Sequence, residues 1–321
     1  MKLPITQSIA WQKLQDDLGE ISHFEKQDDY QYLAIEKHTQ AGNYLFVPYG
    51  PIADTKEGFK KALESLTELA KTTSAIFIRI EPTRLLEAEY LPNTAKKVHD
   101  IDPADTWILD ITPDVPTILT NFSQGTRTRY NTYAKKGLTV ESTNDPNDIK
   151  YLVALQNQLY KQKNLSAFSE KYLKTELQQP FATLYLVKYK RELDQTPSQP
   201  DDNHKKPKDG QVLAASLFFD FDDTRYYMQS AADGTYKKLP ATVALLTKAI
   251  FDAKEQGIKS FDFWGIAPDD APADHPWKGF TEFKKSFGGE ARHYAGTYDI
   301  ILKPAKYKLF KSLQKLKKLI K

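Results

Sequence analysis

Two periods of hydrophobic spacing run along this chain, and they occur in the same order twice. Tyr30 to Ile35 and Tyr44 to Val47 carry β-branched and aromatic residues bounded by glycine and proline, which predicts strands. Pro48 to Pro51 follows as a loop. From Asp54 to Lys71 the residues Phe59, Ala62, Leu63, Leu66, Leu69 and Ala70 fall on one helical stripe, with Asp54 or Thr55 placed to cap it. Ala75 to Ile80 is a continuous apolar run and predicts a buried strand that ends at Glu81-Pro82. The order returns about 180 residues later, with a strand at Tyr226 to Met228 and a loop from Ala231 to Leu239. A helix over Pro240 to Lys254 has Val243, Leu246, Ala249, Ile250 and Ala253 on its buried face, and Gly257 ends it. Ile258 to Trp264 is the closing strand. Strand, loop, helix, strand, twice over, predicts an α/β fold of duplicated domains.

The same patterns organise the rest. Ser8 to Gly19 is a helix, with Ile9, Trp11, Leu14 and Leu18 at helical spacing. Trp107 to Ile111 is a strand, and Pro113 to Phe122 covers the domain edge. Asp148 to Lys163 is an amphipathic helix that opens the second domain, followed by a helical stretch over Leu165 to Leu177. Leu184 to Lys190 and Val212 to Asp220 are strands; the polar Arg191 to Gly210 between them is a flexible hairpin insertion. Tyr298 to Leu302 is a last strand. Tyr307 to Lys321 sets Leu309, Phe310, Leu313, Leu316, Leu319 and Ile320 on one side and lysines on the other. The expected first domain covers 1–145 and is completed by 300–321; the second covers 146–299, with its insertion at 191–210.

Charge sharpens this reading. The net charge is +3, but Lys303 to Lys321 holds eight lysines and no acid, so the remainder carries −5. A mildly acidic body with a basic helix implies a local anionic partner. That helix either lies on anionic lipid or folds back onto the first domain, and folding back is the favoured outcome. The chain has no cysteine, which excludes disulfides and thiol catalysis. No run of about 18 apolar residues is present, and the first 18 residues hold no apolar signal region. The expected location is therefore the cytoplasm, or the inner face of its membrane, and the expected state is a monomer. No Ser-His-Asp order or metal-ligand spacing stands out among the six histidines, so no metal is expected.

Candidate chemistry concentrates at Ser260 to Gly289. Phe261, Phe263 and Ile266 are apolar, Asp262 lies inside the run, and Gly265 breaks it. Phe283 and Lys284 then precede Gly288-Gly289, where the chain must turn. A lysine held between phenylalanines has a desolvated stem and an aimed ammonium, as an acyl-transfer site needs to steady an oxyanion. The plainer alternative is an exposed lysine on a half-buried helix. A second candidate is the segment Arg127 to Gly137, where Arg127, Arg129, Lys135 and Lys136 accompany Tyr130 and Tyr133 without an acid. It either tracks phosphates with its tyrosines stacked on bases, or buries the tyrosines as a core stripe and leaves the cations in solvent.

The string Phe261 to Ile266, with Gly279-Phe280, Phe283 to Gly289, Tyr294, Gly296, Tyr298 and Asp299, resembles the Fem family of peptidoglycan cross-bridge aminoacyltransferases. The similarity extends through Thr126 to Val140 and Arg225 to Gly257 and is weak over the first hundred residues. It implies two tandem GNAT-like acyltransferase domains, each a mixed twisted sheet flanked by helices. It also implies transfer of an amino acid from aminoacyl-tRNA to the stem-peptide amine of a UDP-linked or lipid-linked muramyl pentapeptide. The resemblance implies Lys284 and Phe283 as the catalytic pair; Lys13 matches a lysine that contacts the precursor's diphosphate, and Glu81, Tyr172 and Tyr227 are expected to line the precursor cleft with it. The basic segment also matches the family, with Arg129, Asn131, Ala134, Lys136 and Gly137 in the expected places, which makes Arg127, Arg129, Lys135 and Lys136 the candidate contacts for tRNA or precursor phosphates. No long heptad segment is present, so the chain resembles the short members without a coiled-coil arm. It departs from the family pattern at Phe168, where an arginine is usual, at Gln229, where a tyrosine is, and at Glu81, where an aspartate is. Aminoacyl-tRNA is the implied co-substrate, with no further cofactor. The loops Pro48 to Lys56 and Ala231 to Pro240 hold one glycine each, a poor pyrophosphate cradle, which weighs against coenzyme A. An acyl-coenzyme A N-acyltransferase, or a pair of domains that binds precursor or RNA without chemistry, stands as the alternative.

Overall fold

The computed structural model describes residues 3–163, 168–196 and 206–320. Its regular elements begin with α1 (Ile9–Asp17), β1 (Ser22–Lys26), β2 (Tyr30–Thr39), β3 (Gly42–Val47), β4 (Ile52–Ala53), α2 (Lys56–Thr72), β5 (Phe77–Ile80) and β6 (Ala95–Lys97). They continue with β7 (Asp105–Asp110), α3 (Val115–Asn121), α4 (Gln124–Thr132), β8 (Lys136–Thr143), α5 (Ile149–Lys163), α6 (Glu170–Leu177), β9 (Ala182–Asp194) and β10 (Val212–Phe221). The last are β11 (Thr224–Ala232), α7 (Ala241–Glu255), β12 (Ser260–Gly265), α8 (Lys278–Lys285), β13 (Glu290–His293), β14 (Tyr298–Ile301) and α9 (Pro304–Ile320).

The chain forms two units, Met1–Asp105 with Arg292–Lys321, and Thr106–Ala291. The boundaries differ from those expected. Residues 106–145 belong with the second unit because β7 pairs with β12 and β8 pairs with β9. The return to the first unit starts at Arg292 rather than at 300, since β14 pairs with β5. Residues 197–205 of the expected hairpin insertion, and 164–167 of the expected second helix, lie outside the described residues; the described part of that helix is α6.

Within the first unit the sheet order is β1-β2-β3-β5-β14-β6, and β4 pairs with β2. Among the described residues only β3 and β5 of this sheet run parallel, with Leu45 opposite Ile78 and Val47 opposite Ile80. A parallel pair needs a crossover, and α2 supplies it. Thr55 caps α2 by accepting the Gly58 N–H, so of the two expected caps Thr55 takes the role. Phe59, Leu66 and Ala70 on α2 are buried against Leu45, Val47, Ile78 and Ile80. The other face of this sheet is closed by α9, whose Tyr307 and Phe310 join Phe77, Ile76 and Ala41 in a second cluster. The basic helix therefore folds back, as favoured from the sequence.

The second unit repeats the plan. Its sheet order is β13-β7-β12-β11-β10-β9-β8, and β11 and β12 are parallel, joined across α7. Val243, Leu246, Ala249, Ile250 and Ala253 on α7 are buried in one core with Phe218, Phe261 and Phe263. Pro240 stands at the N-cap of α7 instead of inside its first turn. Five of the described strands were not legible in the sequence: β1, β4, β6 and β13 are five residues or fewer, and β8 carries just two aliphatic residues, Leu138 and Val140.

Candidate active site

In the second unit β12 ends in an irregular turn. Pairing with β7 slips between Asp262 and Gly265, which is a β-bulge, and Trp264 inside it has φ of +63°. That is the left-handed region, strained for a bulky residue, and such strain persists only where neighbours hold it. The holding group is Asp262, buried at 3% exposure, whose Oδ1 accepts the Trp264 N–H at 2.7 Å. The bulge turns the Gly265 carbonyl toward α8, and the Lys284 ammonium donates to it. Thr281, one turn earlier on α8, accepts the Ala267 N–H at 2.8 Å and donates to Trp277 O at 3.0 Å. The helix is thus pinned to the strand end at two points.

Lys284 sits in a half-buried position. Burial pushes its pKa down to about 8, against the opposing pull of the Asp262 carboxylate. An ammonium so placed is partly stripped of water, close to neutral pH in its titration, and held by one carbonyl. It retains donor capacity for a developing negative charge. Phe283 packs on Phe287 with ring centres 5.4 Å apart, and Phe287 packs on Phe263 at 5.4 Å and Phe122 at 5.1 Å. Beyond α8 the chain must turn: Gly289 has φ of +98°, and a Cβ there would meet the Ile108 carbonyl oxygen at 2.3 Å. Only glycine fits.

The expected basic segment is joined to this site. The Ser123 N–H donates to Ser286 O at 2.8 Å and the Thr126 hydroxyl to Ser286 Oγ at 2.8 Å, so α4 starts where α8 ends. Its tyrosines are core residues: Tyr130 packs edge-on against Phe251 at 5.7 Å, and both Tyr130 and Tyr133 lie against the main core. Arg127 donates to the carbonyls of Thr120 and Phe122 and closes the end of α3, so it too is committed inside the fold. Arg129 and Lys135 are exposed and Lys136 is half-buried.

The other matched positions fall in different settings. Tyr227 is stacked on Phe218 at 5.5 Å and gives its hydroxyl proton to Ser230 at 2.7 Å. Tyr172 stands at the start of α6, stacked on the ring of Phe168 with centres 5.0 Å apart. Phe168, at the position where the resemblance implied an arginine, gives Tyr172 an aromatic partner. Lys13, in the first unit, is on the surface, 65% exposed, and pairs with Asp17 at 2.7 Å.

Glu81, also in the first unit, directly follows β5, as the bulge that receives Lys284 closes β12 in the second. It is 3% exposed. Its carboxylate accepts from Thr297 Oγ1 at 2.8 Å, the Asp102 N–H at 3.0 Å and the Tyr49 N–H at 3.4 Å. Burial first, and then the charge of Asp102, hold Glu81 well above the usual carboxylate range; burial raises Asp102 as well. The two carboxyls keep a proton between them near neutral pH. Sequence reading found Glu81 and missed Asp102, because nothing local marks an aspartate 21 residues away as its partner. Trp264's conformation, Thr281 and Gly265 O were missed for the same reason.

Both loops that precede the crossover helices are occupied by side chains of the protein. At Gly50, a Cβ would lie 2.5 Å from the Gln7 side chain, which donates to Pro48 O at 2.6 Å. In the second unit Asp233 accepts the Thr235 N–H at 2.9 Å and the side-chain amides of Gln158 and Gln211, each at 3.2 Å. Among the described residues no group of three or more His, Cys, Asp or Glu side chains is placed to hold a metal ion.

The two units repeat one α/β plan, and the second brings a desolvated lysine to a bulged strand end. The FemAB family profile matches residues 147–315, more than half of the chain. The chain belongs to the FemAB family, the acyltransferases of peptidoglycan cross-bridge synthesis. Among solved structures, FemX superposes with a TM-score of 0.79 at 18% identity, covering 95% of this chain and 94% of that one. The C-terminal domain of a putative lysylphosphatidylglycerol synthetase from Agrobacterium fabrum follows at 0.60 and 15% identity, with coverage of 96% and 92%. L-PGS from Bacillus licheniformis reaches 0.59 at 13% identity, with 97% of each chain covered. No curated protein sequence matches the chain.

Proposed function

We propose that the protein transfers an amino acid from aminoacyl-tRNA to the stem-peptide amine of a muramyl-pentapeptide precursor. The observation that carries this reading is the Lys284 ammonium, desolvated and aimed from α8 at the bulged end of β12. The acceptor amine attacks the ester carbonyl and forms the C–N bond. Lys284 faces the oxygen that becomes negative, and Phe283 holds the acyl end. The C–O bond to the tRNA ribose then breaks; the ribose oxygen gains a proton and the amine loses one. One such donor contributes roughly 3 kcal/mol of transition-state stabilisation. Most of the remaining acceleration comes from holding two large substrates in register.

Lys13, Glu81, Tyr172 and Tyr227 are assigned to the precursor. Lys13 is held only by a surface ion pair, which a phosphate displaces at little cost. Of the basic segment, Arg129, Lys135 and Lys136 are assigned to tRNA phosphates, and Arg127 serves to join α3 to α4. Occupation of the two loops by Gln7 and Asp233 favours aminoacyl-tRNA over acyl-coenzyme A as donor, because a carboxylate stands where a pyrophosphate needs free N–H groups.

The test is transfer of radiolabelled amino acids from a mixed pool of charged tRNA onto nucleotide-linked and lipid-linked precursors, with Lys284→Met beside the wild type. Label on one precursor, lost in the variant, is the expected result. Near-normal turnover in the variant removes Lys284 from the mechanism. No label on either precursor, with tRNA still bound, moves the protein to a binding role.

A further inference from the structure

Helix α9 has two faces of use, and the fold consumes one. Tyr307 and Phe310 are buried against Ile76 and Phe77, and Tyr307 also donates to Asp299 Oδ2 at 2.8 Å. The stripe expected from the sequence to be a single apolar side is thereby split. Leu309 and Leu316 stay out of the core, 52% and 53% exposed. With Ala305 and Ser312, both exposed, they repeat at i, i+4, i+7 and i+11 and form a continuous low-polarity stripe. Lys306, Lys308 and Lys315 are exposed on the same helix, and among the described residues none of them is in an ion pair. The segment from Lys303 to Lys321 holds eight lysines and no acid, while the rest of the chain is net negative.

From this juxtaposition we infer that the outer face of α9 docks on an anionic lipid surface, with Leu309 and Leu316 entering the headgroup boundary and the flanking lysines at the phosphates. Lysines alone fit any polyanion. Two leucines one heptad apart in the middle of the basic face do not fit a nucleic acid, whose backbone returns nothing for burying them; an acyl boundary does. The net negative charge of the rest of the chain gives the approach a direction, since this helix concentrates the positive charge that an anionic surface attracts. No described helix is long and apolar enough to cross a membrane, so the contact is peripheral.

Co-sedimentation with vesicles tests this without reference to catalysis. The full chain is spun with equimolar phosphatidylglycerol–phosphatidylcholine vesicles and with phosphatidylcholine alone, and thermal melting confirms that each variant folds. The wild type should sediment with the anionic vesicles only, and molar salt should release it. Replacing Lys306, Lys308 and Lys315 by Gln should weaken partitioning about fivefold per lysine. Leu309→Ser and Leu316→Ser should each cost about tenfold. The inference is overturned if the wild type ignores anionic vesicles or binds both kinds equally. It is also overturned if the leucine variants sediment as the wild type does, which makes the face a plain polyanion site. Self-association of the wild type that the leucine variants abolish assigns the face to a second copy instead.

Discussion

The ends of β5 and β12 are the instructive pair. Each closes the parallel step of its own unit, each follows a crossover helix, and each carries a buried ionisable group at the strand's end. In the first unit the group is Glu81, surrounded by Tyr49 N–H, Asp102 N–H and the Thr297 hydroxyl. In the second it is Lys284, brought in from α8 against a bulge. Burial drives both toward their neutral forms, one upward and one downward. The two strand ends thus each gather a desolvated ionisable group of opposite charge, Glu81 from the residue that follows its strand and Lys284 from a separate helix. The chemistry each end can offer follows: a carboxyl that holds a proton, and an ammonium that can meet an oxyanion.

The two units also share a buried arginine–aspartate fork, and the forks differ in depth. Arg79 binds Asp299 through two bonds of 2.7 and 2.8 Å, with side chains 4% and 0% exposed. Arg225 binds Asp220 at 2.7 and 2.6 Å, but Asp220 is 27% exposed, and Arg225 also donates to Gln256 and Tyr185. Breaking the deeper fork has the largest effect we expect. Asp299→Asn should destabilise the protein by about 3–5 kcal/mol, because it strands a buried guanidinium and loosens Tyr307 on α9. Asp220→Asn should cost about half as much, since water and the remaining acceptors reach Arg225. Equal losses in denaturant titrations of the two variants would show that burial depth does not separate the units.

Next in size is Lys284→Met. Transfer should fall about a hundredfold to a thousandfold. In the wild type the rate should decline as pH rises through about 8, where the ammonium loses its proton. Lys284→Arg, if active, should lose that decline. A wild-type profile that stays flat through this range contradicts the oxyanion role even if the Met variant is inactive.

How much of this was legible beforehand follows from what each feature depends on. The crossover helices α2 and α7 were readable because their apolar residues recur at helical spacing over more than three turns, and the strands beside them are β-branched and aromatic. Phe283 and Lys284 were readable because the motif around them is contiguous. Lys13 and Tyr227 were named too, but the chain cannot announce that one sits in a surface ion pair and the other shares its hydroxyl with Ser230. The interleaved tyrosines looked equally like stacking platforms and core residues, because helical spacing is the same in both cases; the structure sets Tyr130 edge-on against Phe251, half-buried at the margin of the core. The domain limits were missed for a topological reason. β7 and β8 follow the first unit in sequence, yet take their hydrogen bonds from β12 and β9, more than forty residues further on.

A smaller effect sharpens the positioning half of the comparison. Thr281→Val leaves the Ala267 N–H buried and unpaired, at a cost of about 1–3 kcal/mol, and frees α8 to shift against the strand end. Transfer should drop with little change in substrate affinity, and Thr281→Ser should restore it. If Val and Ser behave alike, the hydroxyl does not place Lys284.

The smallest effect separates the two strand ends by sign. A carboxyl whose folded pKa lies above its unfolded one stabilises the protein fully below the ordinary carboxylate range, and that stability is lost as pH rises through the raised value. The lysine works in the other direction: its folded pKa, about 8, lies below its unfolded one, so stability recovers as pH rises above 8 toward the ordinary lysine range. Melting temperature against pH should therefore fall from mildly acid pH toward neutrality on account of Glu81, and regain part of the loss in alkali on account of Lys284. Glu81→Gln keeps one acceptor oxygen for Thr297 and the Asp102 N–H, loses the oxygen that faces the Tyr49 N–H, and should flatten the acid-side fall, leaving the part due to Asp102. Lys284→Met should remove the alkaline recovery and leave the acid side unchanged. If either variant altered the other's limb, the two buried charges would have to be coupled, and the duplicated ends could not be treated as independent sites.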